Sequence, residues 1–205
     1  MAKLYFKYGA MGSSKSAQAL ITKFNYEERG MRVWLIKPSV DDRDGANVIK
    51  SRIGLNQKAE IIRPADDIEA ILHSRRKQSD GGAGEKVDVI ISDESQFFTT
   101  EQIDQLRRIV DLEDIPVLCF GLRTDFQTKL FPGSRRLFEL ADSITEIKTI
   151  CDCGKKATVN ARIANGRVVT DGEQVFLGGN ESYIAMCHSC WKKRIAEEAG
   201  KSKEK

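Results

Sequence analysis

Two hydrophobic rhythms alternate along the first two thirds of the chain. Short apolar runs bounded by charged or glycine-rich segments are separated by stretches with apolar residues at helical spacing, which is the pattern of a parallel sheet covered by helices. Residues 3–8 (KLYFKY) read as a strand, 16–29 as a helix, and 31–37, with VWLI at its centre, as a second strand. A weaker strand at 60–63 and a helix over about 66–78 follow. VDVIIS and IPVLCFG show no polar alternation, so they read as strands buried on both faces. Between them, Thr99 or Thr100 is placed to cap a helix running through EQIDQLRRIVDL. The glycines and charges of SDGGAGEK, which holds residues 79–85, mark an exposed turn or loop.

After Ser143 the rhythm changes. Cysteine pairs, Asn/Gly turns and short β-prone runs such as ATVNARI replace the alternation, and a Lys/Arg-rich helix begins near Cys190. The expected fold class is therefore α/β: a parallel sheet flanked by helices over residues 1–149, with a small lobe and tail over 150–205.

Composition narrows the classes of function. With 205 residues, 40% of them hydrophobic, the chain can bury one good-sized core and a small appendage. The net charge of +3 arises from 33 basic and 30 acidic residues spread along the chain, which argues against a nucleic-acid partner. The tail KSKEK is a charge run that reads as a solvated terminus. No stretch approaches the roughly 18 apolar residues of a membrane span, and MAKLYFKYG lacks the apolar core of a signal peptide, so a cytoplasmic location is expected. Five cysteines in that reducing compartment read as thiols or metal ligands rather than disulfides.

The first strand runs into GAMGSSKS (Gly9, Ala10, Met11, Gly12, Ser13, Ser14, Lys15, Ser16), which opens a helix. Strand, tight loop and helix N-terminus is the context of a phosphate-binding P-loop, whose backbone N–H groups converge on phosphate oxygens. Lys15 would reach the β- and γ-phosphates of ATP, and Ser16 would ligate Mg²⁺. Ser14 stands where the pattern has its second glycine, so either that position needs no glycine conformation or the loop is strained. VDVIISDESQFF ends its strand in Asp93 and Glu94. Beside a P-loop the first acid can hold magnesium and its neighbour can orient or deprotonate the nucleophile, and strand alternation would send the two to different sides. Asp41, Asp42 and Arg43 follow the second strand, where Asp41 and Arg43 could contact magnesium and the transferring phosphoryl group or simply form loop salt bridges.

Cys151 and Cys153 form C-x-C, and Cys187 and Cys190 form C-x-x-C. Two close thiolate pairs fit a closed tetrahedral structural Zn²⁺ site, with a redox pair as the rival reading and His188 as a substitute ligand. Cys119, inside an apolar run, reads as a core residue.

Together these motifs resemble the zinc-containing thymidine kinases of the cytosolic and bacterial type, nearly end to end. The resemblance includes YEERG from Tyr26, DDR at Asp41, DESQFF at Asp93, GLRTDF at Gly121 and GGNESY at Gly178. It implies ATP with Mg²⁺ and deoxythymidine as the substrates, Glu94 as general base for the 5′-hydroxyl, and Asp93, Glu94, Ser95 and Gln96 on the nucleotide side. Phe97, Leu122, Phe126, Phe131 and Tyr183, with Met11, resemble the nucleoside pocket; Phe120 and Phe138 read instead as core packing. Phe176, Leu177, Gly178, Gly179 and Asn180 resemble a loop that encloses thymine, the four cysteines match zinc ligands, and a homotetramer is implied. A P-loop ATPase and a zinc-knuckle nucleic-acid binder are the competing classes, and neither accounts for the whole set of blocks.

Overall fold

The computed structural model describes residues 1–40, 47–77, 86–175 and 183–201. Its elements in chain order are β1 (Leu4–Tyr8), α1 (Lys15–Glu27), β2 (Val33–Pro38), β3 (Val48–Lys50), β4 (Asn56–Lys58), β5 (Glu60–Ile62), α2 (Ile68–Lys77) and β6 (Val89–Ser92). A single 3₁₀ turn (Ser95–Phe97), α3 (Thr100–Glu113), β7 (Val117–Gly121), α4 (Pro132–Leu140) and β8 (Ser143–Glu146) follow. The C-terminal part holds β9 (Val159–Ala164), β10 (Arg167–Val168), β11 (Tyr183–Met186) and α5 (His188–Lys201).

Six strands form a parallel sheet in the order β5-β2-β6-β7-β1-β8. Every residue of β6 and β7 is buried, as expected of central parallel strands covered on both faces. Alternation divides the core. Trp34, Ile36, Ile90, Val117 and Cys119 pack on one face with Leu72 of α2, Ile103 and Leu106 of α3 and Leu137 of α4. Leu35, Val89, Ile91, Leu118 and Phe120 face the other way, onto Ala19 and Leu20 of α1. Cys119 is a core residue whose thiol burial pushes up to about 11. Phe120 is fully buried, and Phe138 packs edge-on against Phe6 at 5.1 Å.

Thr99 is the α3 cap. Its hydroxyl accepts from the Gln102 N–H at 3.1 Å while the Gln102 side chain accepts from the Thr99 N–H at 3.2 Å, a reciprocal capping box. The pattern did not lead to the β3–β4 hairpin, α4 or the exposed edge strand β8. The C-terminal sheet is antiparallel, in the order β10-β9-β11, and its core gathers Val159, Ala161, Met186 and Trp191 around Cys151 and Cys187.

Candidate active site

The loop from Gly9 to Ser16, the candidate phosphate site, grows out of β1 at the carboxyl edge of the sheet. A side chain at Gly9 would put its Cβ 2.4 Å from the Ile147 carbonyl, so only hydrogen fits where the loop leaves the strand. The Gly9 N–H donates to the Gly121 carbonyl at 3.2 Å, and that of Ser13 to Ala10 at 3.3 Å. Ser14 stands at φ 61°, ψ 27°, so this position does take the left-handed conformation a glycine prefers, and the loop carries strain there. Lys15 is buried, with its ammonium donating to the Ala10 carbonyl at 3.0 Å and to Ser13 Oγ at 3.4 Å. The N-terminus of α1 adds favourable potential for an anion at the same place.

Asp93 follows β6 and is almost completely buried, with its N–H donating to the Ile36 carbonyl at 3.2 Å. Its Oδ1 has no hydrogen-bond partner among the described residues. Burial, then the Glu94 carboxylate, push the Asp93 carboxyl up to about 7, against the Ser16 hydroxyl bonded to it and the charge of Lys15. A buried, unsatisfied carboxylate oxygen next to the Ser16 hydroxyl is the donor chemistry a magnesium ion takes.

Glu94 does leave on a different side from Asp93, but strand alternation is not the cause. β6 ends at Ser92, and Glu94 sits in the left-handed region at φ 51°, ψ 34°, which turns it out to line a cleft. Gln96, buried beside it, donates from Nε2 to the Glu94 carboxylate, while its Oε1 accepts from the Leu122 N–H at 2.9 Å. Gly121 makes room for that amide: a Cβ there would lie 2.8 Å from Gln96 Oε1. Ser95 is fully buried, with Oγ 2.6 Å from Ser92 Oγ.

One cleft of about 270 Å³ is lined both by Gly12, Ser14, Lys15, Ser16 and Glu94 and by Met11, Phe97, Leu122, Phe126, Phe131 and Tyr183. Phe97 and Phe131 meet edge-on at 5.5 Å. Gly9, Ala10 and Ser13 build the loop behind this wall. Asp41, Arg43 and the loop residues Phe176, Leu177, Gly178, Gly179 and Asn180 lie outside the described residues.

Several lining residues escaped sequence reasoning. Arg52, from the β3–β4 hairpin, lies 3.6 Å from where a Cβ on Gly12 would stand. The buried Lys37 of β2 donates to the Val48 carbonyl at 3.0 Å and so anchors that hairpin. Asn160 of β9 accepts from the Met11 N–H at 2.8 Å and donates to the Thr124 carbonyl at 2.9 Å. The available signal was Asn160 and Arg162 at alternate positions of the otherwise apolar run VNARI, which gives that strand one polar face.

The Sγ atoms of Cys151, Cys153, Cys187 and Cys190 lie within 4.8 Å of one another, and those of Cys153 and Cys187 are 3.7 Å apart. Zinc–thiolate bonds of about 2.3 Å in a tetrahedron place sulfurs roughly 3.8 Å apart, so the quartet fits zinc. Convergence of all four thiols disfavours an isolated redox pair at Cys187 and Cys190. Backbone N–H groups of Cys153 and Cys187 lower the Cys151 thiol to about 7, while hydrogen bonds to the Cys153 and Cys187 sulfurs push the Cys190 thiol up to about 12, so a metal binding here would displace the Cys190 proton. His188 packs its ring on Trp191 at 5.4 Å and is not part of the quartet.

The sequence profile of the family described as Thymidine kinase matches residues 2–191. The chain is 46% identical over 202 residues to a protein named Thymidine kinase from Ruegeria pomeroyi, covering 98% of this chain and 99% of that one. It is 46% identical over 203 residues to a Thymidine kinase from Legionella pneumophila, covering 98% and 93% of the two chains. A Thymidine kinase from Rhizobium meliloti is 44% identical over 198 residues, covering 96% of this chain and 100% of that one.

Proposed function

The chain belongs to the thymidine kinase family, and from that membership we propose that it transfers the γ-phosphoryl group of ATP to the 5′-hydroxyl of deoxythymidine, giving ADP and dTMP. The observation that carries the proposal is a cleft walled on one side by the loop from Gly9 to Ser16 and on the other by aromatic and apolar side chains, with Glu94 in its lining.

In this reading the loop N–H groups and Lys15 bind the β- and γ-phosphates, offsetting charge that would otherwise repel an incoming oxygen nucleophile. Met11, Phe97, Leu122, Phe126, Phe131 and Tyr183 surround the nucleoside, and Phe176 to Asn180 enclose its base. Glu94 accepts the 5′-hydroxyl proton as the oxygen attacks phosphorus, and Gln96 holds its carboxylate. Magnesium enters with ATP as part of the substrate and neutralises phosphate charge; Asp93 and Ser16 are the residues that would hold it, with Asp41 proposed as a further contact. Arg43 and Arg52 bring positive charge toward the phosphoryl group. Zinc, held by the four cysteine thiolates, would close the C-terminal lobe without entering the chemistry. The proposed setting is a cytoplasmic homotetramer; no described helix is long and apolar enough to cross a membrane.

The test is ADP release from MgATP with and without deoxythymidine. Nucleoside-dependent release with dTMP formation is the expected result. Release that ignores the nucleoside would make the protein an ATPase, and no release at all would leave a binding module; either outcome overturns the proposal.

A further inference from the structure

β9 presents two different faces. Val159 and Ala161 pack into the C-terminal core, so Asn160 and Arg162, at the alternating positions, face away from it. Asn160 lines the cleft. Arg162 is only 7% exposed, an unusual place for a guanidinium, because removing that charge from water is expensive unless strong partners replace the lost hydration.

Its partners are informative. The guanidinium carbon stands 3.8 Å from the centroid of the Phe126 ring, well inside cation–π range. Nε donates to the Tyr183 hydroxyl at 3.1 Å, and a terminal nitrogen donates to the Glu173 carbonyl at 2.9 Å. Phe126 and Tyr183 both line the cleft, but they arrive from distant parts of the chain, the connection between β7 and α4 and the start of β11. The segment carrying Phe126 is itself braced at Asp125, whose Oδ1 accepts from the Gln127 and Lys129 N–H groups and whose Oδ2 accepts from Gln174. A planar fork over one ring and bonded to the hydroxyl of the other is a geometry that arginine supplies and lysine does not.

We propose that Arg162 is a positioning residue for nucleoside recognition: it fixes the Phe126 and Tyr183 rings relative to each other, so that the pocket is formed before the nucleoside arrives. Preorganisation of this kind lowers the ordering cost of binding and acts on the ligand that uses those rings, not on the one held by the phosphate loop. The inference rests on the thymidine kinase reading above.

The experiment is steady-state kinetics of Arg162→Lys and Arg162→Met with each substrate varied in turn, together with thermal unfolding of the free proteins. Both variants should raise the KM for deoxythymidine roughly tenfold or more while the KM for ATP stays within about twofold. The lysine variant separates geometry from charge. Wild-type kinetics with lysine, or equal rises in both KM values, overturns the proposal. If neither variant folds, Tyr183→Phe carries the test, because it deletes only the hydroxyl that accepts from Nε. A roughly threefold or larger rise in deoxythymidine KM supports the proposal, and an unchanged value overturns it. Wild-type protein that shows no thymidine-dependent turnover defeats the functional reading itself, and that result appears before any variant is made.

Discussion

Ser14 and Glu94 both occupy the left-handed backbone region, at φ 61° and φ 51°, where a side chain costs roughly 1–2 kcal/mol relative to the right-handed form. The strain has a different reason in each. At Glu94 the turn brings a carboxylate from the end of a buried strand to the cleft wall, so the side chain is the point of the conformation. At Ser14 the loop needs only the backbone shape. Glu94→Gln keeps the backbone and removes the proposed base, and is expected to lower kcat by roughly 10²–10⁴ with ATP binding and thermal stability retained. Turnover near that of the wild type would remove Glu94 from the chemistry. Ser14→Gly relieves the strain but gives the unfolded chain more freedom, about 0.5–1 kcal/mol in the opposite direction. The net expectation is a gain of about 0.5 kcal/mol, read as a rise of roughly 1–2 °C in Tm by calorimetry. A loss of stability would mean that the Ser14 side chain makes interactions worth more than the strain.

At the scale of elements, the end of β7 is fitted to the turn after β6. A Cβ on Gly121 would stand 2.8 Å from Gln96 Oε1 and 3.1 Å from Gln96 N, and both atoms sit in a packed interior that yields little. Gly121→Ala is therefore expected to destabilise the protein by roughly 1–3 kcal/mol in urea unfolding. It should also lower kcat, because the displaced amide is the one that holds Glu94; an unchanged kcat would show that Gln96 does not position the carboxylate. The strands that meet here were legible in the sequence because their centres, Val89–Ile91 and Val117–Phe120, are short apolar runs, and the tight connection from Gly9 to Ser16 between β1 and α1 was legible because its spacing is local. The β3–β4 hairpin was not: its two strands of three residues carry one buried side chain, Ile49, beside the half-buried Val48, and the other four residues are polar or charged and exposed. α4 is only nine residues long and opens on Pro-Gly-Ser, which reads locally as a turn, and β8 is a short, largely exposed edge. Alternation in VNARI gives Asn160 and Arg162 a shared polar face, but what that face meets, as in the bond between Asn160 and Met11 across 149 positions, is set by tertiary packing, as is the place of Arg52.

The whole molecule joins a parallel sheet to a small cysteine-bearing lobe through contacts to the connection after β7 and to the loop from Gly9 to Ser16. Asn160 accepts from the Met11 N–H, and the Thr149 hydroxyl donates to the Gly12 carbonyl at 3.4 Å. Thr149 lies two positions before Cys151, and its carbonyl accepts from the Ala157 N–H at 2.9 Å, which ties it to the turn that carries Cys151 and Cys153. The thiolate cluster and the loop that would bind ATP are thus a few bonds apart. Four thiolates brought this close repel one another unless a cation neutralises them, so metal binding and folding of the lobe should be linked. Purified protein is expected to carry about one zinc per chain by elemental analysis. Cys187→Ser, which removes a thiol 3.7 Å from that of Cys153, should lose the metal and destabilise the protein by about 3 kcal/mol, roughly 10 °C in Tm. Because the lobe braces Met11 and Gly12, the same variant should also lose part of the thermal shift that ADP gives the wild-type protein, a readout independent of turnover. A metal-free protein of full stability would reduce the quartet to free thiols. A destabilised variant that keeps the whole ADP shift would confine the role of the metal to the lobe and separate it from the phosphate loop.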